Sequence, residues 1–286
     1  MRYRLSAYLF SYFTSKHGQN AILRNSVGTV QPKLSIERIK KFEIPDLNRV
    51  LQEEIQTTVD LGYAKIVESK KSYKQAEELL LQTLGLHNFS PSQAPTNIKS
   101  FAQSFGSSGR LDAEYYQPKY ADYYNLLTSF EGGFSLFSEA CKLKDKNFKP
   151  EDKKQYKYIE LSNIGRSGEI TGTTVDNGEN LPARARRKIT TNDIIISSIE
   201  SSLDFKSKPM QVLLKKACSG TILTAIGKAE LERIPIPLIP PKIQEEIKNQ
   251  VDKSFKLRKQ SEHLLKIAKR AVEMAIEADE HRRSSS

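Results

Sequence analysis

The sequence is poor in the features that announce most chemistries. Its two cysteines, Cys141 and Cys218, lie far apart and lack metal-ligand spacing. A disulfide framework is therefore not expected, and a reducing, cytoplasmic compartment fits best. No stretch reaches the roughly 20 apolar residues of a membrane span. The opening MRYRLSAYLFSYF has a basic residue and aromatics, but Ser and Tyr break its apolar run and no small-residue cleavage pattern follows. A soluble chain with no membrane partner is expected. There is no phosphate loop of the GxxxxGK type, no GxGxxG and no HExxH. The Asp/Asn-Pro-Pro-aromatic motif of base-methylating enzymes is missing too. The four histidines, His17, His87, His263 and His281, are scattered over a turn, a linker, a helix and the tail. No catalytic residue, cofactor or metal is expected, and the chain does not read as an enzyme acting alone.

Acidic residues are also in short supply. Against 45 Lys+Arg stand 34 Asp+Glu, for a net charge of +11 and a pI near 9.4. That surplus favours a polyanionic partner, nucleic acid ahead of an anionic membrane, with a merely basic surface as the competing reading. At 28% charged and 38% hydrophobic, the 286 residues suit one large or two modest folded domains rather than disorder.

What is present is a repeat. IPIPLIPPKIQEEI (234–247) sets four prolines directly before a helical start, and FEIPDLNRVLQEEI (42–55) echoes it at an offset of 192 residues. The register holds without gaps. Ser15-Lys16 falls on Ser207-Lys208, Gln19 on Gln211, Gly28-Thr29 on Gly220-Thr221 and Ile44-Pro45 on Ile236-Pro237. Val59-Asp60, Ser69 and Ala76 fall on Val251-Asp252, Ser261 and Ala268. Two large units are not a solenoid but a duplicated module with internal pseudo-symmetry.

Each unit ends in a long helical segment, Gln52 to about Leu86 and about Ile243 to Ala278. Val59, Ile66, Tyr73 and Leu80 recur every seven residues, beside a seam of Ile55, Ser69 and Ala76. The second segment repeats this with Val251, Leu265 and Val272, beside Ile247, Ser261 and Ala268. This is a coiled-coil pattern whose small seam residues allow close approach, and equivalent helices favour pairing about a pseudo-two-fold axis. Gly62 and Arg258 read as interruptions. Two ordinary amphipathic helices on separate cores are the alternative. Pro240-Pro241 is expected to open the second helix, with Glu245-Glu246 at the positive end of its dipole.

Between the helices, residues 87–110 are rich in Ser, Pro, Gly and Asn and read as a linker. Residues 110–226 are mixed: a turn and helix in EYYQPKYADYYNLL, strands in YKYIELSNI (156–164) and DIIISSI (193–199), and turns at SGEITG and VDNGEN. KPMQVLLKKA (208–217) reads as a helix ended by Ser219-Gly220.

The candidate contacts are basic and aromatic. LPARARRKI (181–189) carries Arg184, Arg186, Arg187 and Lys188 between a turn and a strand, where arginine can pair with guanine or grip phosphates. KLKDKNFKPEDKKQYK (142–157) suits phosphates more than bases, with a plain solvated loop as the alternative. Tyr115, Tyr116, Tyr120, Tyr123 and Tyr124 form a cluster that is mostly core by its spacing. Tyr116, Lys119 and Lys208 complete the DNA-contact candidates.

RLDAEYYQPKY (110–120), YIELSNI (158–164), LPARARRKITTNDIIISSIE (181–200) and SGTILTAIGKAELERIPIPLIPPKIQEEI (219–247) resemble the specificity subunit of type I restriction–modification systems. Residues 15–55 match the same C-terminal half-motif. The resemblance implies an α/β (α+β) target recognition domain plus two long helices pairing as an antiparallel coiled coil that sets the gap between DNA half-sites. It implies these segments: 1–48, the remnant of a first recognition domain; 49–86, the first spacer helix; 87–109, a linker. There follow 110–241, a second, shortened recognition domain; 242–280, the second spacer helix; and 281–286, a tail. The family's members recognise double-stranded DNA and dock modification subunits, which carry S-adenosylmethionine and methylate adenine; restriction subunits join through them. Self-association of shortened copies is a further expectation. The rival is a scaffold that docks modification subunits, or a second copy, through its helices without recognising DNA.

Overall fold

The computed structural model describes residues 4–28, 32–144, 146–165, 168–191, 193–196, 207–219 and 225–284. In chain order come α1 (Arg4–Thr14), α2 (Lys16–Asn25), α3 (Ile36–Ile39), α4 (Arg49–Thr83), α5 (Phe105–Ser108) and α6 (Pro118–Thr128). Next are β1 (Phe134–Leu136), α7 (Phe137–Ala140), β2 (Gln155–Tyr158), β3 (Thr174–Asn177), α8 (Lys208–Ala217) and β4 (Cys218–Ser219). The last are β5 (Ala225–Ile226), α9 (Lys228–Glu232), β6 (Pro235–Pro237) and α10 (Pro241–Ser284). The fold is mixed α+β with two long packed helices and small antiparallel sheets. Among the described residues no helix is long and apolar enough to cross a membrane.

The sequence repeat is also a structural one. α2 matches α8 end for end at the 192-residue offset. The isolated bridge Val27–Lys33 matches the β4–β5 pair Ser219–Ala225, and both α3 and α4 begin where α9 and α10 do. Four successive elements therefore recur without a gap. The matched threonines, Thr29 and Thr221, lie outside the described residues, as does Gly220.

The chain forms two compact units: residues 1–76 with 248–286, and residues 77–247. In the first, α4 and α10 run antiparallel. Ser69 Oγ bonds both the Ser254 carbonyl and its hydroxyl at 2.9 Å, and Ser72 Oγ donates to the Gln250 carbonyl at 3.0 Å. The position climbs on one helix as it falls on the other. Ile55, Gly62, Ser69 and Ala76 form the buried seam of α4, facing Ser254, Ser261 and Ala268. Shifting the pair Ser69/Ser254 by the repeat offset gives Ser261/Gly62, so the pseudo-two-fold lies between these layers.

Gly62 therefore does not interrupt the seam. A Cβ at Gly62 would sit 3.2 Å from Leu265 Cδ2 and 3.4 Å from its Cγ, and the missing side chain is what permits the close approach. Ile66 and Tyr73, expected on the contact row, are only half-buried because small residues bring the contact to the adjoining row. Tyr8 and Tyr12 of α1, with Leu47, Ile55, Val59, Ala268, Val272 and Ile276, make the core of this unit. Glu273, only 7% exposed, caps α2 by accepting from the Lys16 N–H at 2.9 Å. The amide and the Arg270 guanidinium hold its carboxyl below the usual carboxylate range.

In the second unit Leu84, Tyr123, Leu127, Leu213, Leu214 and Ile234 form the core. The Ser/Pro-rich stretch is pinned to this body. The Ser92 N–H donates to Asp122 at 2.7 Å, and the Phe89 ring meets Tyr123 edge-on at 5.0 Å. The proline strap is a strand as well as a connector, since β6 pairs antiparallel with β1, Phe134 opposite Pro237 and Leu136 opposite Pro235. A two-stranded sheet has only edges, where proline is tolerated.

Three local expectations change. The strand expected over 156–164 ends at Tyr158, because the Asn163 side chain accepts from the Glu160 N–H at 2.9 Å and folds Leu161–Asn163 into a 3-10 turn. Residues 193–196 are not a strand: Asp193 accepts from the Thr190 N–H at 2.7 Å and closes a turn. Residues 197–199 of that expectation, and most of SSLDFKSK, lie outside the described residues. α8 spans Lys208–Ala217 as expected, and Ser219 beyond it lies in β4. α10 begins at Pro241, which moves Glu245-Glu246 into its second turn, beyond the strongest field of the dipole.

Candidate nucleic-acid interface

The Arg184–Lys188 segment is built outward from a tight turn. After β3, residues Gly178–Asn180 form a 3-10 turn against 150–154. The Gly178 N–H donates to the Lys154 carbonyl at 2.9 Å, and a Cβ at Gly178 would lie 2.2 Å from the Glu151 carbonyl oxygen, so only glycine fits. The Ala185 N–H then donates to the Pro182 carbonyl at 2.8 Å, turning Arg184 outward.

The lysine-rich and arginine-rich stretches prove to be two sides of one structure. The Phe148 N–H donates to the Arg186 carbonyl at 2.8 Å, and the Arg187 guanidinium donates to the Asn147 side chain. Lys188 Nζ lies 5.2 Å from the centre of the Phe148 ring, and that ring meets Tyr156 edge-on at 5.4 Å. Lys144 binds Asp193 at 2.6 Å. Together with the Thr190 amide, that contact holds the Asp193 carboxyl below the ordinary range and neutralises an acid on this side.

Arg184, Arg186, Arg187 and Lys188 are all exposed. No ion pair with a carboxylate of the described residues holds any of them. They border a groove of about 660 Å³ whose opposite wall is β2 and the turn after it. Residues alternate along β2, with Gln155 and Lys157 exposed and Tyr156 and Tyr158 half-buried, and both tyrosines line the groove with Leu161, Ile164 and Ile195. The floor is apolar and aromatic, and the rim is cationic. Such a surface can grip phosphates and lay flat rings against its floor.

The other candidates sit elsewhere. The Tyr116 hydroxyl donates to the Arg110 carbonyl at 3.0 Å and bonds the Ser108 hydroxyl. Lys119 pairs with Glu114 at 3.8 Å and covers the Tyr120 ring at 5.0 Å. Tyr116 meets the Tyr115 ring edge-on at 4.9 Å, and that ring also has the Arg110 guanidinium at 4.3 Å and Lys216 at 4.9 Å from its centre. Burial, then Glu230, pushes the Tyr115 hydroxyl up to about 12. Lys208 is exposed in the first turn of α8. None of the partners of Tyr116 or Lys119 lies on the groove.

Tyr158 and Phe148 escaped the sequence reading. The Gln-Tyr-Lys-Tyr alternation was the available signal for Tyr158; nothing local marks Phe148, because its neighbour is 38 residues away. Among the described residues no group of three or more His, Cys, Asp or Glu is placed to hold a metal ion. In comparisons with known proteins, no family model matches this chain and no curated protein does.

Proposed function

We propose that the chain is the DNA-recognition and spacing component of a type I restriction–modification complex acting in the cytoplasm, with catalysis left to its partner subunits. The observation that carries this reading is the gap-free structural repeat whose halves each end in a strap and a long helix, the two helices pairing antiparallel about a pseudo-two-fold. The antiparallel strands of a duplex have local two-fold axes, and a chain with a matching pseudo-two-fold can set two reading modules along it. The exposed Arg184, Arg186, Arg187 and Lys188 supply the duplex contact. Modification subunits dock on the helical pair and its surroundings, and restriction subunits join through them.

Each phosphate neutralised contributes about −0.9 to the slope of log K against log salt. The test is to assemble the complex with the quadruple variant Arg184→Ala/Arg186→Ala/Arg187→Ala/Lys188→Ala and measure duplex binding over a salt series. A shallower slope and weaker affinity are expected; wild-type affinity and slope would remove these residues from the interface. Mapping methylation by the wild-type complex tests the reading as a whole. Sequence-selective adenine methylation supports it, and assembly without selectivity leaves a scaffold that does not read DNA.

A further inference from the structure

We propose that the groove between β2 and the Arg184–Lys188 segment holds one unstacked nucleobase, a step that deepens the DNA-recognition reading and rests on it. Duplex phosphates need only the exposed cations, and nothing in that contact uses the apolar floor. Yet the floor is open: Leu161 is 58% exposed, Ile189 43% and Ile195 43%. At about 660 Å³ the groove falls within the roughly 300–1,000 Å³ of small-ligand sites, too small for a duplex and ample for a base.

The occupant follows from complementarity. A flat ring lies against Tyr158 and the apolar floor while its flanking phosphates meet Arg184 and Lys188, whose rim is cationic apart from Glu160. Phe148 and Tyr156, held edge to face, stiffen the wall beside it. A base leaving the stack loses its neighbours' π-contacts, and an aromatic floor replaces them.

The chain has no tryptophan, so Tyr158→Trp places a unique fluorophore in the floor. The full-length variant is titrated with an oligothymidylate single strand, an abasic deoxyribose-phosphate strand of equal length, and a duplex. Quenching by the base-bearing strand, and binding about tenfold tighter than to the abasic strand, are expected from one stacked base. Tyr158→Leu should erase that preference with duplex binding kept, and Tyr158→Phe should preserve it. Equal affinity for the abasic strand, or equal displacement by an acidic peptide of the same charge, overturns the inference. Duplex binding without base preference sinks the base site alone; no binding to any nucleic acid by the wild type sinks the recognition reading with it.

Discussion

Ser69 and Ser261 occupy equivalent places in the repeat, and both are fully buried in the helix seam. Alanine at the two sites is nevertheless expected to move stability in opposite directions. Ser69 Oγ has the Ser254 hydroxyl and carbonyl at 2.9 Å. Its loss removes hydrogen bonding worth roughly 0.5–1.5 kcal/mol net per bond and takes a partner from a buried hydroxyl. Better helix propensity returns about 0.5 kcal/mol, so Ser69→Ala should destabilise by about 1–2 kcal/mol. Opposite Ser261 the repeat puts Gly62, which has no hydroxyl, and Ser261 Oγ has no hydrogen-bond partner. An unpaired buried hydroxyl costs about 1–3 kcal/mol, so Ser261→Ala should stabilise by about 1 kcal/mol or more, propensity adding to the gain. Urea unfolding of the full chain, followed by helical circular dichroism, should show midpoints on either side of the wild type. A Ser261→Ala midpoint as low as that of Ser69→Ala would refute the account, since the hydroxyl would then have a partner, such as the carbonyl one turn back.

Glu273→Gln should destabilise by about 1–2 kcal/mol at pH 7, because a charged cap at the α2 amide becomes neutral. The folded carboxyl is depressed, so its contribution is present above the unfolded pKa of about 4.3 and fades as pH falls through the folded value. Melts from pH 7 to 3 should therefore show a flatter acid limb in the variant, and an unchanged limb would count against the cap. Tyr8, raised by burial to about 12, favours the neutral phenol in the folded state. Its contribution is whole below pH 10 and is lost as pH climbs through 12, so Tyr8→Phe should lower stability at pH 8 but reduce the alkaline loss seen in melts from pH 9 to 12. Gly178→Ala should loosen the turn that carries Arg184, costing about 1–3 kcal/mol by overpacking. Weakened duplex binding with intact helix content would confirm the placement, and unaltered binding would contradict it.

The large-scale architecture was legible because it repeats. Matched Ser-Lys, Ile-Pro and Gln-Glu-Glu-Ile positions define both register and element boundaries, and the proline-free, heptad-patterned segments define two helices. Gly62 was misread because a missing side chain looks like a defect in a hydrophobic pattern; only the approach of Leu265 shows it to be a contact. The strand expected after Asp193 failed for another reason. Its run of isoleucines satisfies a strand pattern, but the Asp193 carboxylate competes for the Thr190 amide and for Lys144, and local side-chain bonding won. At the groove, the cations were visible as a cluster while the aromatic floor was not. Phe148 reaches Arg186 and Lys188 only through long-range folding.

The two straps show which parts of the module are fixed and which are replaceable. In the second unit β1 covers the strap, with Leu136 and Phe134 opposite Pro235 and Pro237. The equivalent residues of the first unit are Glu43 and Pro45, and there the carbonyls accept from phenols: Tyr12 to Glu43 at 3.3 Å, and Tyr8 to Pro45. Helix α1 thus bonds the strap edge whose second-copy counterpart faces away from β1, because β1 meets that strap through the Ile234 carbonyl and the Leu238 N–H. Proline suits strap positions that take no bond through N–H. It has no N–H, so its position in a strap asks a neighbour for a donor and offers none in return. Beside Pro235 and Pro237 the bonds to the facing strand fall on the flanking residues Ile234 and Leu238, and at Pro45 the Tyr8 hydroxyl donates to the carbonyl. The shared element is then the strap and the helix it launches, whose starts coincide at the repeat offset as Arg49 and Pro241. What covers the strap can differ between the copies without moving the helices.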